Sequence, residues 1–243
     1  KESLTYGQFM EEQLAMARSR LNGTHAHDTI ILTTHPPTIT LGMRSLKEQL
    51  LHIRVLPRTI GTSEIPDDEL LRRAGAYLHR LSGIDLVKTN RGGSVWYHDH
   101  GVLQIYLIFE VQPFAVSDII YPLEEALLRT LNGFGIQAAR APDSIRKEDK
   151  SFLGLWVKEK KIAALGMRIQ SNSVTSVSMF GSSLNVSPDM SGCEMIDPCG
   201  IPDRRLTSVA EELAYYNKNT PPIVPPLLNN LADLFRICIV PGD

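Results

Sequence analysis

Apolar residues recur at two spacings along this chain, and the switch between them separates helices from strands. In residues 3–21, Phe9, Met10, Gln13, Leu14, Ala17 and Leu21 fall on one side of a 3.6-residue period, with Glu11, Glu12, Arg18 and Arg20 elsewhere. That spacing predicts an amphipathic helix ending near Asn22-Gly23. The same period predicts a helix over 67–81, with Leu70, Leu71, Ala74, Leu78 and Leu81 on one face, and another over 116–134. The latter has Ile119, Ile120, Leu123, Leu127, Leu131 and Phe134 inward and glycines at its end. Residues 207–216 and 227–235 read as two more helices, separated by the proline-rich 220–226.

Short β-branched apolar runs predict the strands. Residues 29–33 read as a buried strand, which Pro36-Pro37 breaks before 38–41 resumes. Residues 86–89 and 102–110 follow. Then 153–157, 162–170 and 174–179 read as consecutive antiparallel strands, with Glu159-Lys160 at the first joint. Leu184 to Val186 begins a further extended piece, turned by Ser187-Pro188-Asp189, and the basic stretch 140–150 reads as a loop. Strands and helices intermingle, so the predicted class is α/β or α+β, a mixed sheet with flanking helices.

At 243 residues the chain supports one sizeable core, and a single domain over 1–243 is expected. Apolar residues make up 43 % and charged residues 21 %, and no apolar run reaches the length of a membrane span. A formal charge of −2 offers no electrostatic footprint for nucleic acid. Cys193, Cys199 and Cys238 have neither the even count of a disulfide framework nor paired zinc-site spacing, so a reducing compartment is the simpler expectation. The chain begins at Lys1, as it would if a targeting segment had been removed or left out.

Candidate chemistry concentrates in two stretches. Arg91-Gly92-Gly93 offers a cation beside a backbone that can come close to a bound group, although a Gly-Gly pair alone is an ordinary turn. Residues 158–200 run from a basic turn into an apolar run and close on Asp197-Pro198-Cys199-Gly200, a constrained corner with little bulk around the sulfur. A cysteine and a lysine make a nucleophile pair if the fold joins them, yet Lys158, Lys160 and Lys161 all compete for the second role and a lone cysteine can equally be a small buried hydrophobe. Cys193 and Cys238 read as structural. Asp99-His100 lacks a third ligand at usable spacing, so no metal is expected.

Four segments, in order, resemble the octanoyltransferase family of lipoate-biosynthesis acyltransferases: His35-Pro36-Pro37-Thr38-Ile39-Thr40-Leu41-Gly42; Asn90-Arg91-Gly92-Gly93 with Trp96-Tyr97-His98; Lys161-Ile162-Ala163-Ala164-Leu165-Gly166; and Leu184-Asn185-Val186 with Pro198-Cys199-Gly200. They cover roughly residues 5 to 210. The resemblance implies the fold shared by biotin-protein ligases and lipoate ligases, and makes Cys199 and Lys161 the catalytic pair. It implies that Cys199 takes an octanoyl group from the phosphopantetheine thiol of acyl carrier protein, and that a lysine of a lipoyl-accepting protein domain then takes it as an amide, without ATP, metal or bound cofactor. Arg91, Gly92, Gly93, His98, His35, Leu165, Gly166 and Gly181 would bind substrate, Thr38 would line the acyl path, and backbone N–H groups near Leu165-Gly166 would steady the oxyanion.

The chain departs from that pattern at Asp99 (a glycine), Val102 (a glutamine) and Phe180 (a histidine), while His100 is placed to replace part of what Phe180 removes. Asp99 is expected to narrow the acyl slot or repel the chain. Residues 45–86 read as an insertion atypical of the family, on the surface, and 217–243 as a tail carrying a helix. Two functions therefore stand side by side: an octanoyltransferase with a modified pocket, or a catalytically weakened relative serving as a binding or structural subunit of a mitochondrial assembly. The expected compartment is mitochondrial, otherwise cytoplasmic.

Overall fold

The computed structural model describes residues 4–61, 64–111, 116–149, 152–201, 205–214, 219–237 and 239–240. Cys238 and residues 215–218 of the expected helix and tail lie outside them.

Two sheets form the framework. The larger has the order β1 (Thr29–Thr33), β5 (Val102–Ile108), β10 (Ser176–Asn185), β9 (Lys160–Ser171), β8 (Gly154–Val157) and β7 (Ala139–Arg140). In addition β6 (Glu110–Val111) pairs with β10, and β11 (Arg205–Leu206) runs parallel to β9. The smaller sheet holds β3 (Asp85–Lys88), β2 (Thr38–Leu41) and β4 (Trp96–His98), with β2 parallel to β3 and antiparallel to β4. Mixed pairing with flanking helices is the class the periodicity predicts.

One face of the larger sheet carries Leu103, Ile105, Leu107, Ala163 and Leu184, which pack on α5 (Ser117–Gly133), α8 (Val209–Ala214) and α9 (Val224–Phe235). Leu123, Leu127 and Leu131 of α5 are completely buried there. Each such leucine stabilises the fold by roughly 1.5–3 kcal/mol relative to exposure. The opposite face carries Gln104 and Tyr106 of β5. At one end of this face lies α1 (Tyr6–Leu21), started by a capping box in which Thr5 and Gln8 satisfy each other's amides.

Strict alternation fails at two positions, and both failures aim side chains at this second face. Leu155 of β8 pairs with Ala163 but Trp156 pairs with Lys161, so Ile162 is an extra residue, a β-bulge. Ile162 and Ala163 consequently both enter the α5-side core, and Lys161 turns to the opposite face beside Trp156. In β10, Phe180 has φ +65°. Its even-numbered neighbour Leu184 faces α5, whereas the Phe180 ring packs with Phe9, Tyr106, Val177 and Met179. A left-handed non-glycine residue costs about 1–3 kcal/mol, so the surrounding packing holds it there.

Several expectations change. Residues 29–33 are half-buried at every position, because β1 is the edge of its sheet. The 140–150 stretch is not simply a loop: Pro142 and Asp143 start a short helix, α6 (Asp143–Glu148). The piece expected at 184–186 continues β10 without interruption to Asn185. The last helix begins inside the proline-rich stretch, since first-turn amides need no helical partner and prolines fit there. The described part of 45–86 contains α2 (Leu46–Leu50), α3 (Arg58–Gly61) and α4 (Asp67–Ser82), and the apolar faces of α2 and α4 are core, not surface elaboration. Leu46, Leu50, Ile53, Leu56, Leu70 and Ala74 are buried with Val95, Ile196 and Cys199, and Ile53 bridges to Ile196. No helix among the described residues is long and apolar enough to cross a membrane.

Candidate active site

Cys199 sits in a tight turn, Pro198–Gly200, with φ +59° and ψ 14°. Its N–H donates to the Val95 carbonyl at 2.9 Å, and the Gly200 N–H donates to the Asp197 carbonyl at 2.9 Å. The Asp197 carboxylate accepts from Arg54 Nε at 2.8 Å, and the Asp197 N–H donates to the His52 carbonyl, so the segment before α3 braces the corner. A cysteine held in the left-handed region is backbone strain that the surrounding contacts maintain.

Lys161 is 1 % exposed. Its Nζ lies 3.2 Å from Cys199 Sγ, donates to the Leu153 carbonyl at 3.0 Å, and sits 4.9 Å from the centre of the Trp156 ring. The amine is thus fixed on three sides, one of them the sulfur. Lys160, the competing neighbour, is exposed.

Cys199 lines a narrow cleft, with about 40 Å³ of free interior, between the larger sheet and the 91–98 segment. Small residues, Ala164, Gly166, Gly181 and Ser183, line it on the sheet side, with Gln104 and Tyr106 beyond. Close approach of two backbones shapes the rim: a Cβ on Gly166 would lie 3.1 Å from the Gly92 carbonyl oxygen, and one on Gly42 would collide with the Gly93 carbonyl at 2.1 Å.

The structure distributes the expected binding residues unevenly. Arg91, Gly93, His98, Leu165, Gly166 and Gly181 line the cleft. Gly92 does not; its N–H donates to the Met167 carbonyl at 3.3 Å, which closes the rim. His35 does not either: its Nε2 shares a 2.8 Å hydrogen bond with the Tyr106 hydroxyl, one layer behind the wall. Thr38 bonds the Pro36 carbonyl and is likewise off the cleft. The Arg91 guanidinium is spent on the fold, donating to the carbonyls of Thr40, Gly92 and Ser94 and to Thr40 Oγ1.

Two buried histidines, His98 and His35, are held below the usual imidazole range. Burial, then the Arg91 charge and His35, hold His98 well below the usual imidazole range. Its Nε2 shares a 2.9 Å hydrogen bond with Thr40 Oγ1, and the Gln104 side chain interacts with the ring as well. His35 is held down to about 4 by burial and then by His100. Burial pushes the Tyr6 and Tyr106 hydroxyls up. His100 is exposed and does not enter the cleft, so it replaces nothing at position 180.

Asp99 corrects a second expectation. Its carboxylate accepts from the N–H groups of Gly101 at 2.8 Å and Asp189 at 2.7 Å, tying the two turns together away from the slot. Phe180 does reach the cleft wall. Tyr6, Gln104 and Tyr106 were not legible as site residues; they come from α1 and β5, and no local motif marks them, whereas Trp96 of β4 joins them from the motif that ends at His98. Cys193 is buried in the smaller-sheet core, and burial followed by Asp99 raises its thiol far above the usual range. Among the described residues no group of three or more His, Cys, Asp or Glu side chains could hold a metal ion.

Residues 9–223 match the family described as Lipoyl protein ligase A/B catalytic domain. The chain is 36 % identical over 214 residues to the octanoyltransferase of Chloroflexus aggregans, covering 86 % of this chain and 81 % of that one. The chain belongs to the octanoyltransferase family. The octanoyltransferase of Dictyoglomus turgidum is 33 % identical over 214 residues, covering 87 % and 75 %. Among solved structures, a bi-partite lipoate protein ligase from Thermoplasma acidophilum superposes with TM-score 0.60 at 14 % identity, covering 96 % and 82 %, and a lipoate-protein ligase A bound with ATP does so at 0.57 and 14 %, covering 93 % and 81 %. At that identity these two speak for the lipoate-ligase fold alone.

Proposed function

We propose that this octanoyltransferase-family chain moves an octanoyl group from the phosphopantetheine arm of acyl carrier protein to a lysine of a lipoyl-accepting domain, through a thioester on Cys199. The observation that carries this reading is the 3.2 Å contact between Lys161 Nζ and Cys199 Sγ at the mouth of the cleft. In the first half, Sγ attacks the thioester carbonyl carbon and Lys161, as the neutral amine, takes the thiol proton. The tetrahedral adduct then expels the pantetheine sulfur, which recovers that proton from Lys161. In the second half, the acceptor amine attacks the acyl-cysteine. A C–N bond forms, the C–Sγ bond breaks, and the cysteine sulfur leaves with the proton that the amine gives up. A thioester exchanged for a thioester is near balance and a thioester exchanged for an amide is downhill, so the sequence needs no ATP.

Backbone geometry supports an oxyanion site. The Cys199 N–H is committed to Val95, so it is not the donor. Leu165 stands two residues before Met167 on β9, and strand alternation aims its N–H to the same edge as the Met167 carbonyl that Gly92 meets. That edge borders the cleft. One such preorganised donor is worth about 10²–10³ in rate.

Intact-mass analysis after mixing with octanoyl-acyl carrier protein tests the proposal. An octanoyl adduct that Cys199→Ala abolishes, and that a lipoyl domain discharges, supports it. A protein that stays unmodified while another family member is labelled refutes it and favours a binding or structural subunit.

A further inference from the structure

We infer that Phe180 is the end wall of the acyl slot and sets the longest acyl chain the site accepts. The inference rests on the acyl-transfer reading above and adds the specificity element to it. Alternation along β10 would put this side chain on the α5 side with Leu184, but its φ of +65° turns the ring into the cleft face. There it lines the same cleft as Cys199.

The floor leading to it is made of the smallest residues. Gly166 and Gly181 are direct partners across β9 and β10, and the next pair is Met167 and Phe180. On β10, bulk therefore resumes at Phe180 after Gly181, Ser182 and Ser183. Lys161, which touches the sulfur, and Met167, the partner of Phe180, are six residues apart on β9, which bounds their Cα separation at about 20 Å at ~3.3 Å per residue. The ring cannot swing aside: it is 3 % exposed, its centre is 6.4 Å from that of Tyr106, and Phe9 of α1 packs in the same cluster.

The test uses the full chain carrying Cys199→Ala, so that binding is read without transfer. Hexanoyl-, octanoyl-, decanoyl-, dodecanoyl- and tetradecanoyl-pantetheine are titrated calorimetrically against it, alone and with Phe180→Leu or Phe180→Gly added. Glycine suits the left-handed backbone, and leucine keeps most of the packing, so one covers the failure of the other to fold. The parent is expected to gain affinity with length and then lose it abruptly. The variants are expected to move that limit to longer chains, gaining roughly fourfold for each extra methylene admitted. A limit that stays put in a folded variant overturns the inference, and so does parent affinity that climbs without a break to tetradecanoyl. Cys199 acylation with an unmoved limit would sink this inference and leave the transfer reading intact; a moved limit without acylation would do the reverse.

Discussion

Lys161 Nζ and Cys199 Sγ meet at 3.2 Å only because β9 carries one residue too many. Without the bulge at Ile162, alternation would send the lysine to the α5 face, into a core of leucines and isoleucines. A buried ammonium there would have no partner and would cost several kcal/mol. With the bulge, the amine reaches a sulfur, a carbonyl and an aromatic face together.

The first prediction concerns that amine. Lys161→Met keeps volume and apolar stem while removing the proton acceptor, so the fold should survive and Cys199 acylation should slow by about 10²–10⁴-fold, the range for a lost general base. Rapid-quench mass spectrometry of the acyl-enzyme measures it. An unchanged rate would remove Lys161 from the chemistry.

Asp99 gives a prediction of opposite kind. Its carboxylate holds two backbone N–H groups away from the cleft. Asp99→Ala should therefore cost about 1–3 kcal/mol in urea unfolding while leaving the acylation rate of the folded protein within about twofold of the parent. A large gain in rate would instead mean that the carboxylate obstructs the acyl chain.

At Gly42 the argument is steric. A Cβ there would meet the Gly93 carbonyl oxygen at 2.1 Å, backbone against backbone, with no side chain able to yield. Gly42→Ala should lower stability by about 1–3 kcal/mol, read by urea titration. Because Gly93 lines the cleft, it should also slow acylation in the fraction that folds. Wild-type stability would contradict the close approach.

His35 predicts a pH dependence. Its folded value of about 4 lies below the unfolded value near 6.5, so above pH 6.5 both states are neutral and nothing is lost. Between about 6.5 and 4 the unfolded chain binds the proton first, and stability should fall by on the order of 3 kcal/mol. His98, also depressed, adds loss of the same sign. Unfolding free energies measured across this range, in parent and His35→Gln, should show a shallower fall in the variant.

Much of this fold was readable as spacing. The faces of α1, α4 and α5 and the hairpin strands around β9 follow from periods of 3.6 and 2, since each buries one continuous stripe. Cys199 and Lys161 were readable only through a family resemblance, because a sequence period assigns Lys161 to the wrong face and cannot register a bulge set by its partner strand. Phe180 was legible as a departure from the family pattern, but its backbone was not: nothing in a β-strand pattern announces a positive φ at a phenylalanine. Asp99 was read as an obstruction because one of the two N–H groups its carboxylate accepts from lies 90 residues away at Asp189, beyond any local pattern. Tyr6, Gln104 and Tyr106 line the cleft through tertiary contact alone.

The most direct test of the central claim is the mass of the intact chain after exposure to octanoyl-acyl carrier protein. The account predicts a single octanoyl increment, mapped to Cys199 and absent in Cys199→Ala. An increment on any other residue, or none, would contradict it.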